Sequence, residues 1–538
     1  MPPTVRPRRD LSFVLKIAAA LVLATAADVV FWRPGGSATG GFALALTATV
    51  ALLVPRAARD PKAICALAAA LVLALVLVEA PGPLAWILFW SALTLAVLLP
   101  RAARFDDAWR WSQRLAAQAV VGAFGPLLDA WALSRLGKGA RRWSWGSLVA
   151  VLALPLAGGA LFLTLFAAAN PVIAQVLSNL HLPRISEEAI LRAVLWLIAL
   201  TGVWGVLRPR RRRALPAIAR RRSPAGPPVP AASVTLSLLV FNLLFLMQNG
   251  LDAAILWGGA GLPEGVTLAQ YAHRGAYPLI ATALLAGLFV LLFLDPRSPL
   301  ARDRLVRWLV VAWVAQNLFL VASSILRTVD YVETYSLTRL RIAALAWMVL
   351  VGLGLVLVCW RMLRGRSGAW LINANALAAV VVLTLGCTID LGSVAAAWNV
   401  RHAQEIDGQG AALDLGYLRA LDDSALVSLA ELERRAVPEL ADRATYVREL
   451  GEARLRERQS DWRTWTWRGA RRLARLDAFR SQQPVRPSLA GERTYGGTIL
   501  QPQPPAKPPV AEPPVAGPPV AEVAADVAAP QLTPGAEH

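Results

Sequence analysis

The residues best suited to chemistry fall into two polar clusters. In the first, QNGLDAAILWGGAGLPEGVTLAQYAHRGAYPLI (248–280), Gln248, Asn249 and Asp252 close an apolar run, and Thr267 is placed to cap a following helix. On that helix Gln270, His273, Arg274 and Tyr277 follow i, i+3, i+4, i+7 spacing and share a face. The second cluster, SSILRTVDYVETYSLTRLR (323–341), sets Arg327, Asp330 and Tyr331 on one face. Ser336 is the expected N-cap of the next helix, which brings Arg339 and Arg341 into its first turn. A helix N-terminus carries about half a positive charge, so cations there need an offsetting anion. Asp252, Asp330 and Glu333 can supply it as a structural ion-pair network. Alternatively, the guanidiniums hold a phosphate or carboxylate of a small molecule or lipid headgroup. The candidate ligand-binding set is therefore Asp252, His273, Arg274, Arg327, Asp330, Tyr331, Tyr335, Arg339 and Arg341, with no catalytic residue assigned.

Other chemistry finds little support. Cys65, Cys359 and Cys387 lie in or beside apolar runs without CxxC spacing, and His181, His273, His402 and His538 are isolated. Neither a metal site nor a cofactor is expected. Walker, GxSxG, kinase and dinucleotide signatures are missing, which argues against ATP-driven pumping and a soluble-type catalytic domain.

The elements that carry these clusters are apolar. Of 538 residues 56% are hydrophobic and only 17% charged, against roughly 25% charged in soluble domains. A helix crossing about 30 Å of hydrocarbon needs about 20 apolar residues. Eleven such spans are expected: 11–32, 42–54, 63–78, 84–99, 146–169, 190–207, 234–257, 276–294, 305–326, 337–360 and 370–391. The fold class is all-α, a polytopic integral membrane protein.

Lys and Arg crowd the N-terminus and every second connection, including Arg6, Arg8 and Arg9, then Arg56, Arg59 and Lys62, then Arg135, Lys138, Arg141 and Arg142. The excess of basic residues puts the N-terminus in the cytoplasm and, after an odd number of spans, the C-terminal region outside. The net charge of +20 thus serves topology, and nucleic acid is not an expected partner. RPRRRRALPAIARRR (208–222) reads first as a topology lock and anchor for anionic lipids, and second as a dock for an acidic partner. Residues 105–136 hold a stretch, 115–133, that is apolar enough for a twelfth span, but inserting it would carry that run outside. They are read as interfacial helices with Trp109, Trp111 and Trp131 at headgroup level. The first span resembles a signal peptide at Ala24-Thr25-Ala26, yet reads better as an uncleaved helix.

The expected organisation is membrane helices 1–4 over 1–104, cytoplasmic interfacial helices over 105–145, a core membrane domain over 146–391, an extracytoplasmic helical domain over 392–480 and a disordered Pro/Ala-rich tail over 481–538. In the fourth unit, Leu413, Leu418, Leu421, Leu426, Leu429 and Leu432 recur with helical period. DWRTWTWRGARRLARLDAF (461–479) suits a helix resting on outer headgroups or packing within the domain.

The strings LPEGVTLAQYAHRGAYPLI, SSILRTVDYVETYSLTRLR and WNVRHA with LDLGYLRAL resemble a bacterial membrane family of unknown function, the domain-of-unknown-function family numbered 4173, over roughly 170–432. The resemblance implies a bacterial cytoplasmic membrane and no mechanism. Three functions stay open: an envelope-associated binding or accessory protein with an extracytoplasmic partner, ranked first; a secondary transporter or flippase of an anionic solute or lipid; and, last, a membrane-embedded transferase with His273, Asp330 or Glu333 as base.

Overall fold

The computed structural model describes residues 7–32, 36–102, 105–126, 128–129, 186–209, 230–258, 282, 285, 288–289, 303–482 and 487–500. Ten helices come first: α1 (Pro7–Phe31), α2 (Ala38–Leu53), α3 (Pro61–Glu79), α4 (Pro83–Leu98), α5 (Ala108–Ala123), α6 (Glu187–Leu207), α7 (Ala231–Asp252), α8 (Arg304–Tyr335), α9 (Arg339–Arg364) and α10 (Gly368–Thr388). Six shorter or more polar ones follow: α11 (Leu391–Arg401), α12 (Gln404–Asp407), α13 (Leu415–Ala420), α14 (Leu426–Arg435), α15 (Pro438–Ser460) and α16 (Trp467–Gln482). The described residues form no β-strand, only two isolated bridges.

Local chemistry sets the boundaries. Asp60 accepts the Lys62 N–H ahead of Pro61, Ser186 accepts from Ala189 with Glu187 and Glu188 in the first turn, and Asp303 accepts from Leu305. Each satisfies orphan donors at a helix start, and the acids also suit its partial positive charge. Gly365, at φ 62°, closes α9 in the left-handed conformation that glycine adopts without a Cβ clash.

Eight of these helices are long and apolar enough to cross a membrane: α1, α3, α4, α6, α7, α8, α9 and α10. α2 is apolar but shorter. Their outward faces carry Val22, Leu71, Ile87, Ile198, Leu243, Val349 and Leu377, all exposed. Helices apolar on every side, with little of that surface covered by protein, are matched to lipid. The expected spans at 146–169 and 276–294 fall, wholly or nearly so, outside the described residues.

The bundle has two apolar cores. One joins α1–α4 and α6 around Leu46, Leu77, Phe89, Leu93 and Leu207. The other joins α7–α10 around Leu238, Val310, Trp313 and Leu355. α10 also touches α4 and α5. α5 is amphipathic and lies across the bundle's near end, where α1 begins: Ala108 N–H donates to Asn373 Oδ1 at 2.7 Å, and Gln118 Nε2 to the Gly205 carbonyl at 3.1 Å. Gly122 faces Gly205 where α5 crosses α6, a contact that only small residues permit. Trp109 is exposed. Trp111 is not: it is buried and stacked on Phe105 at 5.6 Å, because the apolar face of α5 meets protein there. Trp131 lies outside the described residues.

The helices after α10 pack on the far end, around Leu415, Leu418, Leu429, Leu432 and Val447, and Val332 and Leu337 of the bundle enter the same core. The periodic leucines do not share one helix. Asp422, at φ 51°, breaks the run between α13 and α14, and a 3-10 turn brings both to one core.

Candidate functional site

α7 ends in a turn of wider, π-type hydrogen bonding, Ala253–Trp257. Immediately before it, Asp252 is fully buried and pairs with Arg327 of α8, itself 5% exposed. Gln248 Nε2 adds a hydrogen bond to the same carboxylate at 3.0 Å. Two charges withdrawn from water this far persist only when paired and hydrogen-bonded.

A line of amides continues down the α7–α8 interface. Asn249 Nδ2 donates to the Gln316 carbonyl at 3.0 Å, Gln316 Nε2 to Asn242 Oδ1 at 2.8 Å, and Asn242 Nδ2 to the Leu309 carbonyl at 3.0 Å. Asn317, Ser323 and Ser324 are buried beside it. Three acceptors in this seam, Asn249 Oδ1, Gln316 Oε1 and Asn317 Oδ1, are buried without a hydrogen-bond partner.

The turn from α8 to α9 differs from its expected form. α8 runs on through Arg327, Asp330 and Tyr331 to Tyr335, 32 residues in all, or about 48 Å at 1.5 Å per residue. The polar residues that looked like an outer loop are its last turns. Ser336 is not the N-cap of α9. It ends α8 at φ 69°, and Thr338 caps α9 by accepting the Arg341 N–H at 3.3 Å. Arg339 and Arg341 do open α9, and what offsets them is not a row of carboxylates. Arg341 Nη1 donates to the Tyr335 carbonyl at 2.6 Å and to that of Ser336, and its guanidinium lies 4.3 Å over the Tyr331 ring. Arg339 Nη2 donates to the Leu421 carbonyl at 3.3 Å and to Ser424 Oγ at 3.2 Å, and its backbone N–H to Tyr417 Oη. Carbonyl oxygens thus take the place of the expected acids. Among the described residues, Asp252 alone of the three carboxylates meets a candidate arginine. The Tyr331 and Tyr335 rings lie 4.7 Å apart, tilted at 39°. His273 and Arg274 lie outside the described residues.

Beside this turn is a cavity of about 390 Å³ lined by Glu333, Ser336, Trp398, Asn399 and His402 among others. His402 stacks on Trp398 at 4.0 Å and bonds through Nδ1 to the Trp398 carbonyl at 3.0 Å. That fixes the neutral ring's proton on Nδ1 and leaves Nε2 as an acceptor. Asn399 accepts the Leu337 N–H at 2.7 Å and returns a bond to its carbonyl at 3.0 Å. His402 looked isolated in the sequence; only the packing of α11 on the end of α8 brings it near Glu333.

Residues absent from the candidate set hold the far end together. Glu79 at the end of α3 meets Arg468 at 3.5 Å and also Arg471. Asp390 meets Arg472 and accepts from Ser424 Oγ at 3.0 Å. Ser37 donates its N–H to the Trp465 carbonyl at 2.7 Å and accepts the Trp467 N–H at 3.0 Å. Burial alone would raise the Asp390 carboxyl, but Arg472, the Ser393 N–H, Ser424 and Arg468 outweigh it and hold it below the usual carboxylate range. The string 461–479 carried the only hint of this clamp, and its arginines looked equally suited to headgroups. Trp462 and Trp467 remain half exposed, while Leu476 and Gly469 are buried against α14 and α15.

Long apolar helices with a buried charge pair define an integral membrane protein with several spans. Residues 41–432 match the family described as Domain of unknown function (DUF4153), so the chain belongs to that family. This overturns the resemblance to the family numbered 4173, and the match begins far earlier than residue 170, taking in most of the N-terminal spans. No curated protein and no solved structure matches the chain.

Proposed function

We propose that this protein is a multi-pass protein of a bacterial cytoplasmic membrane whose helices beyond α10 form an extracytoplasmic platform that binds a partner, an accessory rather than a catalytic role. The observation that carries this reading is the clamp: Glu79, Asp390 and Ser37 tie α16 and its preceding turn to three separate membrane helices or their ends. A region held at several points keeps one orientation over the membrane, as a presenting surface requires. Of the arginines that invited an anionic ligand, Arg327 is meanwhile engaged by Asp252, and Arg339 and Arg341 by backbone carbonyls. Orientation follows from the near end, where Arg56, Arg59, Arg101 and Arg208 lie in the connections and basic residues favour the cytoplasm. The run 208–222, which begins with Arg208, suits anionic lipids by its composition.

The test is a photo-crosslinking amino acid placed at Val437, exposed on the platform, and in a parallel variant at Leu52, exposed on α2. A single adduct of constant mass at Val437, missing at Leu52 and weakened by Glu79→Ala, is the expected result. No adduct at Val437 sinks the platform reading.

A second reading rests on the amide seam. Buried acceptors without donors suit a proton-bearing water or a small cation passing between α7 and α8, with Asp252–Arg327 at its far end. Transport of an anion or a lipid headgroup finds less support, since Asp252 neutralises Arg327. Proteoliposomes that dissipate a proton or sodium gradient, and stop doing so with Asn317→Leu, would favour this reading over the platform.

A further inference from the structure

Away from these sites, α14, α15 and α16 enclose a second cavity of about 460 Å³, within the range of small-molecule pockets. Pro438, Leu476, Phe479, Pro487 and Leu489 give it an apolar wall. Arg448 reaches it from α15 while only 2% exposed. Its Nε donates to Glu433 at 2.5 Å and its Nη1 to Glu452 at 2.6 Å. Its Nη2 is buried and has no hydrogen-bond partner. Buried guanidinium donors are rarely left unmade, so this one calls for an acceptor.

The surrounding charge decides which acceptor fits. Of the lining carboxylates, Glu433 is bound to Arg448, and Asp442 accepts from Arg493 at 2.7 Å and from the Leu489 N–H at 2.7 Å. Glu452, just behind Arg448, also takes Arg480 at 2.7 Å. Arg434, a further lining residue, lies over the Phe479 ring at 4.8 Å. Among the lining residues the guanidiniums of Arg434, Arg448 and Arg480 therefore face the carboxylates of Glu433 and Asp442, each carboxylate already engaged. We propose that this pocket binds a small monocarboxylate with an apolar or aromatic body, its carboxylate accepting from Arg448 Nη2 and its body packing on Phe479 and Leu476. The site stands independently of the platform reading, because it needs no protein partner.

The experiment uses the full chain in phosphatidylcholine nanodiscs, with empty nanodiscs as background, titrated with 3-phenylpropionate, the neutral 3-phenylpropanamide and inorganic phosphate. Arg448→Ala would take from the part-buried Glu433 its arginine, at a cost to the fold, so the variant of choice is Leu489→Trp, which fills the pocket from an exposed position. The acid should bind saturably, the amide roughly tenfold more weakly, phosphate not measurably, and Leu489→Trp should abolish acid binding at unchanged helicity. Absent saturable binding, equal affinity for acid and amide, phosphate binding as tight as the acid, or an unaffected Leu489→Trp each overturns the proposal.

Discussion

Arg327 and Asp252 show how one residue can look like a ligand site and serve as a fastening. Each is buried by the other's helix, so removing one leaves a charge in a medium that cannot solvate it, at a cost of about 3–5 kcal/mol. Arg327→Ala and Asp252→Ala should each lower the unfolding midpoint in detergent sharply. Arg327→Met with Asp252→Leu should recover much of that loss, since a well-packed apolar pair replaces a buried ion pair at little cost. A double variant no better than either single would mean that these residues act apart. Asp390 makes a prediction in pH. Its folded carboxyl lies below the usual range, so its stabilisation is complete above the unfolded value of about 3.9 and is lost as pH falls through the lower folded value. Asp423 and Glu433 oppose it: burial, with Asp422 beside the former and Glu449 near the latter, pushes both up against their arginines. Their contribution is full below the unfolded values and fades as pH rises through the folded ones. Thermal unfolding between pH 6 and 2 should therefore show an acid limb below about pH 4 that Asp390→Asn flattens while leaving the change at higher pH intact. An unchanged acid limb in Asp390→Asn would remove Arg472–Asp390 from the clamp.

Elements were legible where lipid dictates them and obscure where protein does. The apolar runs that became α1, α3, α4, α6, α9 and α10 needed only length and composition to be seen. α8 was cut short because Arg327, Asp330 and Glu333 interrupt its apolar run. Those residues have ordinary helical propensity, and Val332 among them is buried under the C-terminal helices. The break three residues after Glu333 needs φ 69° at Ser336, which no periodicity reveals. For the candidate site, type and neighbourhood could be read at Arg339 and Arg341, but not their acceptors, which are backbone carbonyls with no sequence signature. The packing of α2 on α3 is equally silent in the sequence. Gly40 lies so close to the Val78 and Leu77 backbone that a Cβ there has no room, and backbone cannot swing aside. Gly40→Ala should cost about 1–3 kcal/mol by overpacking, read as a lower unfolding midpoint. The effect should exceed that of Gly41→Ala, whose Cβ meets open space. Equal effects at the two glycines would mean that α2 and α3 are not held at this contact.

For the whole molecule the decisive quantity is which end faces the cytoplasm, because the platform reading and the pocket's access to ligand both depend on it. α1, α3, α7, α8 and α10 all finish at the end that carries the C-terminal helices, since Asp28 meets Arg192, Glu79 meets Arg468 and Asp252 meets Arg327 there. The turn between α2 and α3, with Arg56 and Arg59, lies at the other end. Short basic connections stay on the cytoplasmic side, whereas long folded segments cross largely regardless of their charge. The arginine-rich α15 and α16 therefore do not contradict an outside location, particularly as Glu452, Asp477 and Asp423 pair with many of those arginines. Single cysteines at Ala58 and Ser481, both exposed, in a chain with Cys65, Cys359 and Cys387 replaced by serine, separate the alternatives. In sealed right-side-out vesicles a membrane-impermeant maleimide should label Ser481→Cys at once and Ala58→Cys only after permeabilisation. The reverse pattern would put the platform and its pocket in the cytoplasm and redirect the search for both partners there. Labelling of both sites before permeabilisation, with vesicle integrity verified, would mean that an even number of spans separates Ala58 from Ser481, and the bundle would have to be rebuilt from α3 onward.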